Sequence, residues 1–396
     1  MARFDPEEVP AASSETAREI NRRIILNLIR NRQPISRADL ARFSGLQRST
    51  VSLIIEELIA DRWVLEGPTG RLPRGRRPTF LHLNHQRAIL CVDIRPSRTT
   101  IGISDINGRF SSQEVMPTLV NPDAALRELI KRLQPLLKKR THAPFEGIGI
   151  SLPGRIDAVT QELIFAPNLK WPVTDLKRPI ERATGLEVSL ENAANACALA
   201  EMWFGRLGNI RNLVAITVSE GIGTGIIAEG RLVRSRTGMA GEFGHVPLDK
   251  DGPVCSCGNH GCWEVLASNR AALRYYFEYS KDARRSIQRG LQFPDLLLRA
   301  EGSDTLAAQA LDKMAVQLAR GLRMIVAALA PEVILFVGEF TAAWEHFKPR
   351  LQKEVQRQNI SSAPISLLPA QDGAMARLRG TVALVLHKHF GLSLVV

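Results

Sequence analysis

Cysteine is scarce in this chain: five in 396 residues. Cys91 and Cys197 stand alone in apolar stretches, where a free thiol packs like a small hydrophobe. The other three crowd together. That distribution excludes the disulfide framework of a secreted mini-protein. No uninterrupted apolar run approaches the roughly 20 residues of a membrane span. The opening segment "MARFDPEEVP" carries acids and no apolar core, so it does not read as a signal peptide. These absences lead to the expectation of a cytoplasmic protein. Acidic residues are outnumbered, 40 against 52 Lys and Arg, for a formal net charge of +12. The excess fits an anionic partner such as nucleic acid, and equally a protein that is simply basic.

What is present begins with helices. After an expected flexible arm over 1–15, "TAREINRRIILNLIRNRQ" places Ile20, Ile24, Ile25, Leu28 and Ile29 on one broad helical face. In "SRADLARFSGLQRSTVSLIIEELIADRW", Ser36 followed by Asp39 is a helix-start signal. Gly45 suits the tight turn between two short helices, and Leu40, Ala41, Leu46, Val51 and Ile54 suit their steep packing. This is the helix-turn-helix pattern. Its second helix is expected to begin near Gln47, with Gln47, Arg48, Ser49 and Ser52 facing outward. Such side chains reach base edges and phosphates.

A basic stretch follows, "TGRLPRGRRPTFLHLN", with Arg71, Arg74, Arg76 and Arg77 among Gly and Pro. Flanked by "RWVLEG" and "TFLHLN" as strands, it reads as a β-wing whose arginines touch phosphates or enter a minor groove. A solvated linker is the competing reading. The DNA-binding domain is expected over 16–83.

Beyond residue 87 the pattern changes. "RAILCVDI", "TTIGISDI" and "EGIGISLPGRID" read as strands, residues 122–140 as an amphipathic helix, and "LVAITVSEGIGTGIIAEGRLV" as a hairpin. The pattern suggests two α/β halves of similar plan facing across a cleft, and binding sites in such folds lie at strand ends and in crevices. The lobes are expected over 87–185, joined by a C-terminal helix at 374–391, and over 186–373.

The densest chemistry lies in 241–264, "GEFGHVPLDKDGPVCSCGNHGCWE". Three soft thiols and an imidazole fill a tetrahedral zinc shell with no open position, which suits a structural metal. With "GMAGEFGHVPLD" and "CSCGNHGCWE", the chain resembles the ROK family (repressors, open reading frames and kinases) from about Thr16 to its C-terminus. It resembles above all the repressor branch that governs xylose, N-acetylglucosamine and glucose metabolism. The resemblance implies a winged helix-turn-helix followed by a two-lobed α/β body of the sugar-kinase or actin-like (ribonuclease H-like) type. It implies one structural Zn(2+) per chain on His245, Cys255, Cys257 and Cys262. It also implies a sugar site of Asn168 in "APNLKW", Asn192 in "ENAAN", Glu242, His245 and Glu264. Amides and carboxylates suit hydroxyls, and His245 would serve both metal and sugar through its two ring nitrogens.

The same resemblance argues against phosphoryl transfer. The kinases of the family carry an aspartate after the Asn, and here Ala193 stands in its place. Alanine accepts no proton. The phosphate loops differ too: Asp93 is kept, but Arg95 and Pro96 replace glycines, Ser219 and Glu220 alter the next loop, and Glu339 replaces a late glycine. The expectation is therefore a non-enzymatic, sugar-responsive transcriptional regulator, a repressor of carbohydrate uptake or catabolism genes. It would bind a near-palindromic duplex as a homodimer or higher homo-oligomer. A sugar kinase with a DNA-binding head, or a repressor controlled by a protein partner, are the alternatives.

Overall fold

The structure is a computed structural model and describes residues 14–69, 78–138, 144–205, 207, 210–280, 290–356 and 365–391. The chain forms two compact units. One runs to Ala88 and takes in the chain from Val385; the other is Ile89–Leu384.

In the first unit, α1 (Ser14–Arg32), α2 (Arg37–Ser44) and α3 (Arg48–Ala60) are joined by a three-stranded sheet of β1 (Ile35–Ser36), β2 (Val64–Thr69) and β3 (Thr79–Leu83), in the order β1-β3-β2. Local signals set the boundaries. Ser36 accepts from the Asp39 N–H at 3.2 Å and starts α2. Gly45, at φ 73°, ends it in the left-handed region that a side chain disfavours. Ile25, Leu26 and Ile29 of α1 are fully buried with Leu40, Val51, Ile55 and Leu58. Ile20, Ile24, Leu28, Ala41 and Leu46, all expected in the core, are only half-buried. The apolar stripe is narrower than a period count implies. Ion pairs Arg18–Glu57 and Arg22–Asp61 tie α1 to α3. The chain's end completes this unit: the Phe390 ring meets Trp63 edge-on at 5.6 Å, and Asn27 donates to the Phe390 carbonyl at 2.7 Å.

The second unit holds two five-stranded sheets of one plan. The first, in order β10-β7-β4-β5-β6, comprises β4 (Ala88–Ile94), β5 (Arg98–Asp105), β6 (Phe110–Pro117), β7 (Phe145–Leu152) and β10 (Val188–Asn192). The second, β13-β12-β11-β14-β15, comprises β11 (Leu213–Val218), β12 (Ile222–Ala228), β13 (Arg231–Leu232), β14 (Val333–Val337) and β15 (Ser366–Pro369). In each, a central strand has two later strands on one side and two still later on the other. A small β-ribbon pairs β8 (Arg155–Ile156) with β9 (Leu163–Phe165).

Two boundaries move from the sequence reading. β10 pairs in parallel with β7, Val188 opposite Ile148, so it closes the first sheet rather than opening the second lobe at 186. The C-terminal helix, Gly373–Phe390, serves the body only as far as Leu384. There Arg377 donates to the Ile94 carbonyl at 3.3 Å, at the end of β4.

The second sheet packs on the long helix Thr305–Leu329, whose Met314, Leu318, Leu322 and Ile325 are fully buried. Trp263 is buried against that helix and donates from its indole to the Gln317 carbonyl at 3.1 Å. A large aromatic with its polar edge satisfied is a strong anchor. It stands directly after Cys262, so it fixes the end of the cysteine loop.

Candidate metal centre and effector cleft

The cysteine loop follows a short 3-10 turn, Phe243–His245. Bridges Pro247–Cys262 and Val254–His260 fold it into a knuckle. Gly261, at φ 56°, permits the closure: a Cβ there would lie 1.6 Å from the Asp249 carbonyl oxygen. The ligand atoms of His245, Cys255, Cys257 and Cys262 all lie within 4.8 Å of one another.

Their spacing can be compared with a zinc shell. Zinc–sulfur bonds of about 2.3 Å and a zinc–nitrogen bond of about 2.0 Å set tetrahedral edges of about 3.8 Å between sulfurs and about 3.5 Å between sulfur and nitrogen. Cys257 Sγ and Cys262 Sγ are 3.7 Å apart, and Cys255 Sγ is 3.5 Å from His245 Nδ1. The donors thus fit one tetrahedral, thiophilic ion. Burial, reinforced by the neighbouring thiols, pushes the Cys255 and Cys262 thiols above their ordinary range, and a dication would supply the charge that favours the thiolates. The other thiols stand apart: burial pushes Cys91 and Cys197 up to about 12.

His245 turns its other nitrogen away from the thiols. Nε2 lies 3.6 Å from Glu242 Oε2, on the wall of a cleft of about 840 Å³ that is continuous with solvent. Asn168, Asn192, Glu242, His245 and Glu264 all line this cleft. Burial raises the Glu242 carboxyl pKa, partly offset by His245 and Arg155. Glu264, only 6% exposed, joins knuckle to cleft: it accepts from the Ile222 N–H at 3.1 Å and lies 3.5 Å from Asn168 Nδ2. Asn168 sits in a turn pinned by buried Trp171, whose indole donates to the Leu119 carbonyl at 3.2 Å.

Asn192 has structural work as well. Its Oδ1 accepts from the Ala194 N–H at 2.8 Å and caps the helix Ala193–Phe204, while its Nδ2 donates to the Gly154 carbonyl at 2.8 Å. Ala193 follows it in the same wall, 5% exposed.

The corner near Pro96 carries a charge network with partners that sequence reasoning missed. Asp93 is buried at the end of β4. It accepts from Arg95 Nε at 2.8 Å and from the Ser151 hydroxyl at 2.6 Å, and Arg377 Nε stands 3.0 Å away as an ion-pair partner. Arg95 also reaches Glu339 at 3.5 Å, and Asn269 donates to the other Glu339 oxygen at 3.0 Å. Burial would raise the Asp93 carboxyl, but the charges of Arg377 and Arg95 and the hydrogen bonds from Arg95 and Ser151 hold it below its ordinary value. Two guanidiniums meet two carboxylates, so this network leaves no surplus positive charge. Arg377 and Ser151 gave no local signal. Arg155 gave a faint one, directly after a Pro-Gly turn, and it also lines the cleft.

On α3, Gln47 occupies the cap position, and Gln47, Arg48 and Ser49 are exposed while Ser52 is half-buried. Strands β2 and β3 pair as the wing expectation requires, Val64 opposite Leu83. Arg71, Arg74, Arg76 and Arg77 lie outside the described residues.

Comparison with known proteins agrees with this geometry. Residues 89–388 match the model of the ROK family. The chain belongs to the ROK family. Residues 18–64 match a winged helix-turn-helix DNA-binding model. The xylose repressor of Bacillus subtilis (strain 168) is 31% identical over 391 residues, 96% of this chain and 98% of that protein. The glucokinase of Thermotoga maritima is 30% identical over 278 residues, 67% of this chain and 86% of the enzyme. A solved ROK transcriptional regulator, a homologue of the E. coli MLC protein, superposes with a TM-score of 0.81 over 94% of this chain and 98% of its own. At 24% identity that likeness is one of fold alone. The ROK glucokinase of Streptomyces griseus, in complex with glucose and AMPPNP, superposes at 0.68 with 28% identity over 75% of this chain and 98% of its own. A DNA-binding winged helix ahead of a sugar-kinase-like ROK body makes this a ROK transcriptional regulator. Among the described residues, no helix is long and apolar enough to cross a membrane.

Proposed function

We propose that this regulator is a sugar-responsive repressor of carbohydrate genes and that its kinase-like body performs no phosphoryl transfer. One observation carries the second half: Ala193 stands where the family's kinases place their base, beside a corner whose two arginines are already neutralised by Asp93 and Glu339. Without a proton acceptor the sugar hydroxyl is not activated. With Arg95 and Arg377 engaged by those carboxylates and Pro96 offering no N–H, a triphosphate meets Pro96 and Glu220 instead of a cradle. The full-length likeness to the Bacillus xylose repressor supports the first half.

In this reading Asn168, Asn192, Glu242, His245 and Glu264 hold the hydroxyls of a sugar. A hydroxyl left unpaired in a closed cleft is costly, and this gives selectivity. His245, Cys255, Cys257 and Cys262 hold one structural Zn(2+), which supplies rigidity and no open coordination position. The ion would keep His245 aimed into the cleft with Nε2 free for the ligand. Gln47, Arg48, Ser49 and Ser52 read base edges, while Arg71, Arg74, Arg76 and Arg77 hold the backbone. A homodimer would place two such heads on a near-palindromic operator in the cytoplasm. Sugar changes DNA affinity only if it binds the DNA-competent and DNA-incompetent forms unequally.

The test is a thermal-shift screen of zinc-loaded protein against neutral, acetylated and phosphorylated sugars, followed by operator release with each hit. The expected result is at least one sugar that raises the melting temperature and lowers operator affinity, both lost in Glu264→Gln. Sugar-dependent ADP production would favour a kinase instead.

A further inference from the structure

The recognition helix presents one residue that does not belong to its polar face. Leu53 of α3 is 61% exposed. By sequence it sits inside "VSLIIEELI" and looks like core. The structure buries its neighbours Val51, Ile54, Ile55 and Leu58 and turns Leu53 outward with Ser49 and Glu56. Ser49, Ser52, Leu53 and Glu56 recur at helical spacing, so they form a single stripe.

A solitary exposed leucine is ordinary on a protein surface. Its position is what distinguishes this one. Phe43, the other large apolar residue exposed on this pair of helices, already has partners on its ring: the Arg32 and Arg42 guanidiniums stand over it at 4.0 and 4.9 Å. Leu53 has polar residues along its stripe and a cation, Arg48, at the helix start. A protein-docking face would need a contiguous apolar patch, whereas one side chain among hydrogen-bonding neighbours matches a surface that is polar with isolated methyl groups. The major groove is such a surface, and its apolar feature is the thymine 5-methyl. Leu53 lies five residues beyond Arg48, about 7.5 Å along the helix axis. That is about two base-pair steps further along the duplex.

We propose that Leu53 reads the 5-methyl group of a thymine in each operator half-site, extending the stretch read by Gln47 and Arg48. This rests on the reading of the N-terminal unit as the DNA-binding head. The contact is apolar, so its signature differs from that of every polar neighbour. Removing the methyl should weaken binding while leaving each base-pair hydrogen bond in place.

The experiment uses the full-length, zinc-loaded protein. An operator is first obtained by selection from random duplexes. Each thymine is then replaced in turn by uracil, which lacks only the methyl. Wild type should lose about fourfold in affinity per half-site at one thymine position, the value of one buried methyl-sized group. Leu53→Ala should bind the thymine operator about that much more weakly and be indifferent to uracil at that position. Leu53→Met, which keeps an apolar contact, should retain the sensitivity and guards against a folding artefact. Equal uracil sensitivity in wild type and Leu53→Ala would overturn the assignment. So would a change in oligomer mass with unaltered operator choice, which would make Leu53 a protein contact. If wild type selects no sequence at all, the DNA-binding reading fails; selection without methyl coupling sinks only the role of Leu53.

Discussion

Arg95 and Glu339 face each other at 3.5 Å and join the end of β4 in the first sheet to the turn after β14 in the second. Behind Arg95 lies Asp93, shared with Arg377 from the C-terminal helix. One buried carboxylate therefore holds three segments of the body together.

This arrangement predicts an acid limb in the stability of the protein. The Asp93 carboxyl is held below its ordinary value against burial. A depressed folded value gives stabilisation that is complete above the unfolded pKa of about 3.9 and is lost as pH falls through the lower, folded value. Asp93→Asn should flatten the denaturation profile at pH values below about 5. At neutral pH it should cost about 3–5 kcal/mol, because it strips two buried arginines of their shared partner. Urea titrations across pH read both effects, and an acid limb that persists unchanged in the variant would assign it elsewhere.

A second expectation concerns catalysis. Ala193→Asp places a carboxylate at the start of the helix Ala193–Phe204 but leaves Pro96, Glu220 and the Arg95–Glu339 pair in place. Sugar-dependent ADP release should stay at background in wild type and in this variant alike. Turnover in either, abolished by a further change in the cleft, would show that the altered loops still hold a triphosphate.

Metal content and folding should fall together. Cys257→Ser removes one donor of the knuckle, and binding free energy at such a site is folding free energy. Elemental analysis should find close to one zinc per chain in wild type and much less in the variant, with a lower melting temperature. Cys257 does not line the cleft, so weakened sugar binding in the variant would report transmission through His245 and Glu264. A metal-free wild type that melts normally and binds sugar would contradict the structural role.

Reading and anchoring should separate on DNA. Arg48→Ala should reduce the preference for operator over scrambled duplex by about 1–3 kcal/mol if the contact is bidentate. Replacing Arg76 and Arg77 together should weaken both complexes and flatten their salt dependence, since phosphate neutralisation is what salt competes with. Isotherms at several salt concentrations distinguish the two, and the reverse pattern would exchange their roles.

Much of this was legible in the amino-acid order because it is local. The cap at Ser36 and the turn at Gly45 each depend on neighbours a few residues away, and both stand where their spacing placed them, while the resemblance to ROK proteins singled out His245, Cys255, Cys257 and Cys262, which the fold does gather. Chemistry that needs particular residue types at short separation leaves its mark in the sequence. The resemblance to ROK proteins carried the cleft residues, and the cleft does gather Asn168, Asn192, Glu242, His245 and Glu264.

Other features were decided only when the chain packed. Nothing in "SLEN" says that β10 closes the first sheet; parallel pairing with β7 decides it. Leu53 has the same apolar character as its buried neighbours, and the angle at which α3 packs sets which of them water sees. Asn192 lines the cleft but also spends its amide on a helix cap and the Gly154 carbonyl. Arg377 reaches the Ile94 carbonyl across 283 positions of chain. A buried charge must find its counter-charge wherever the fold places one, and that partner is chosen by the meeting of two sheets and a helix, not by any local pattern.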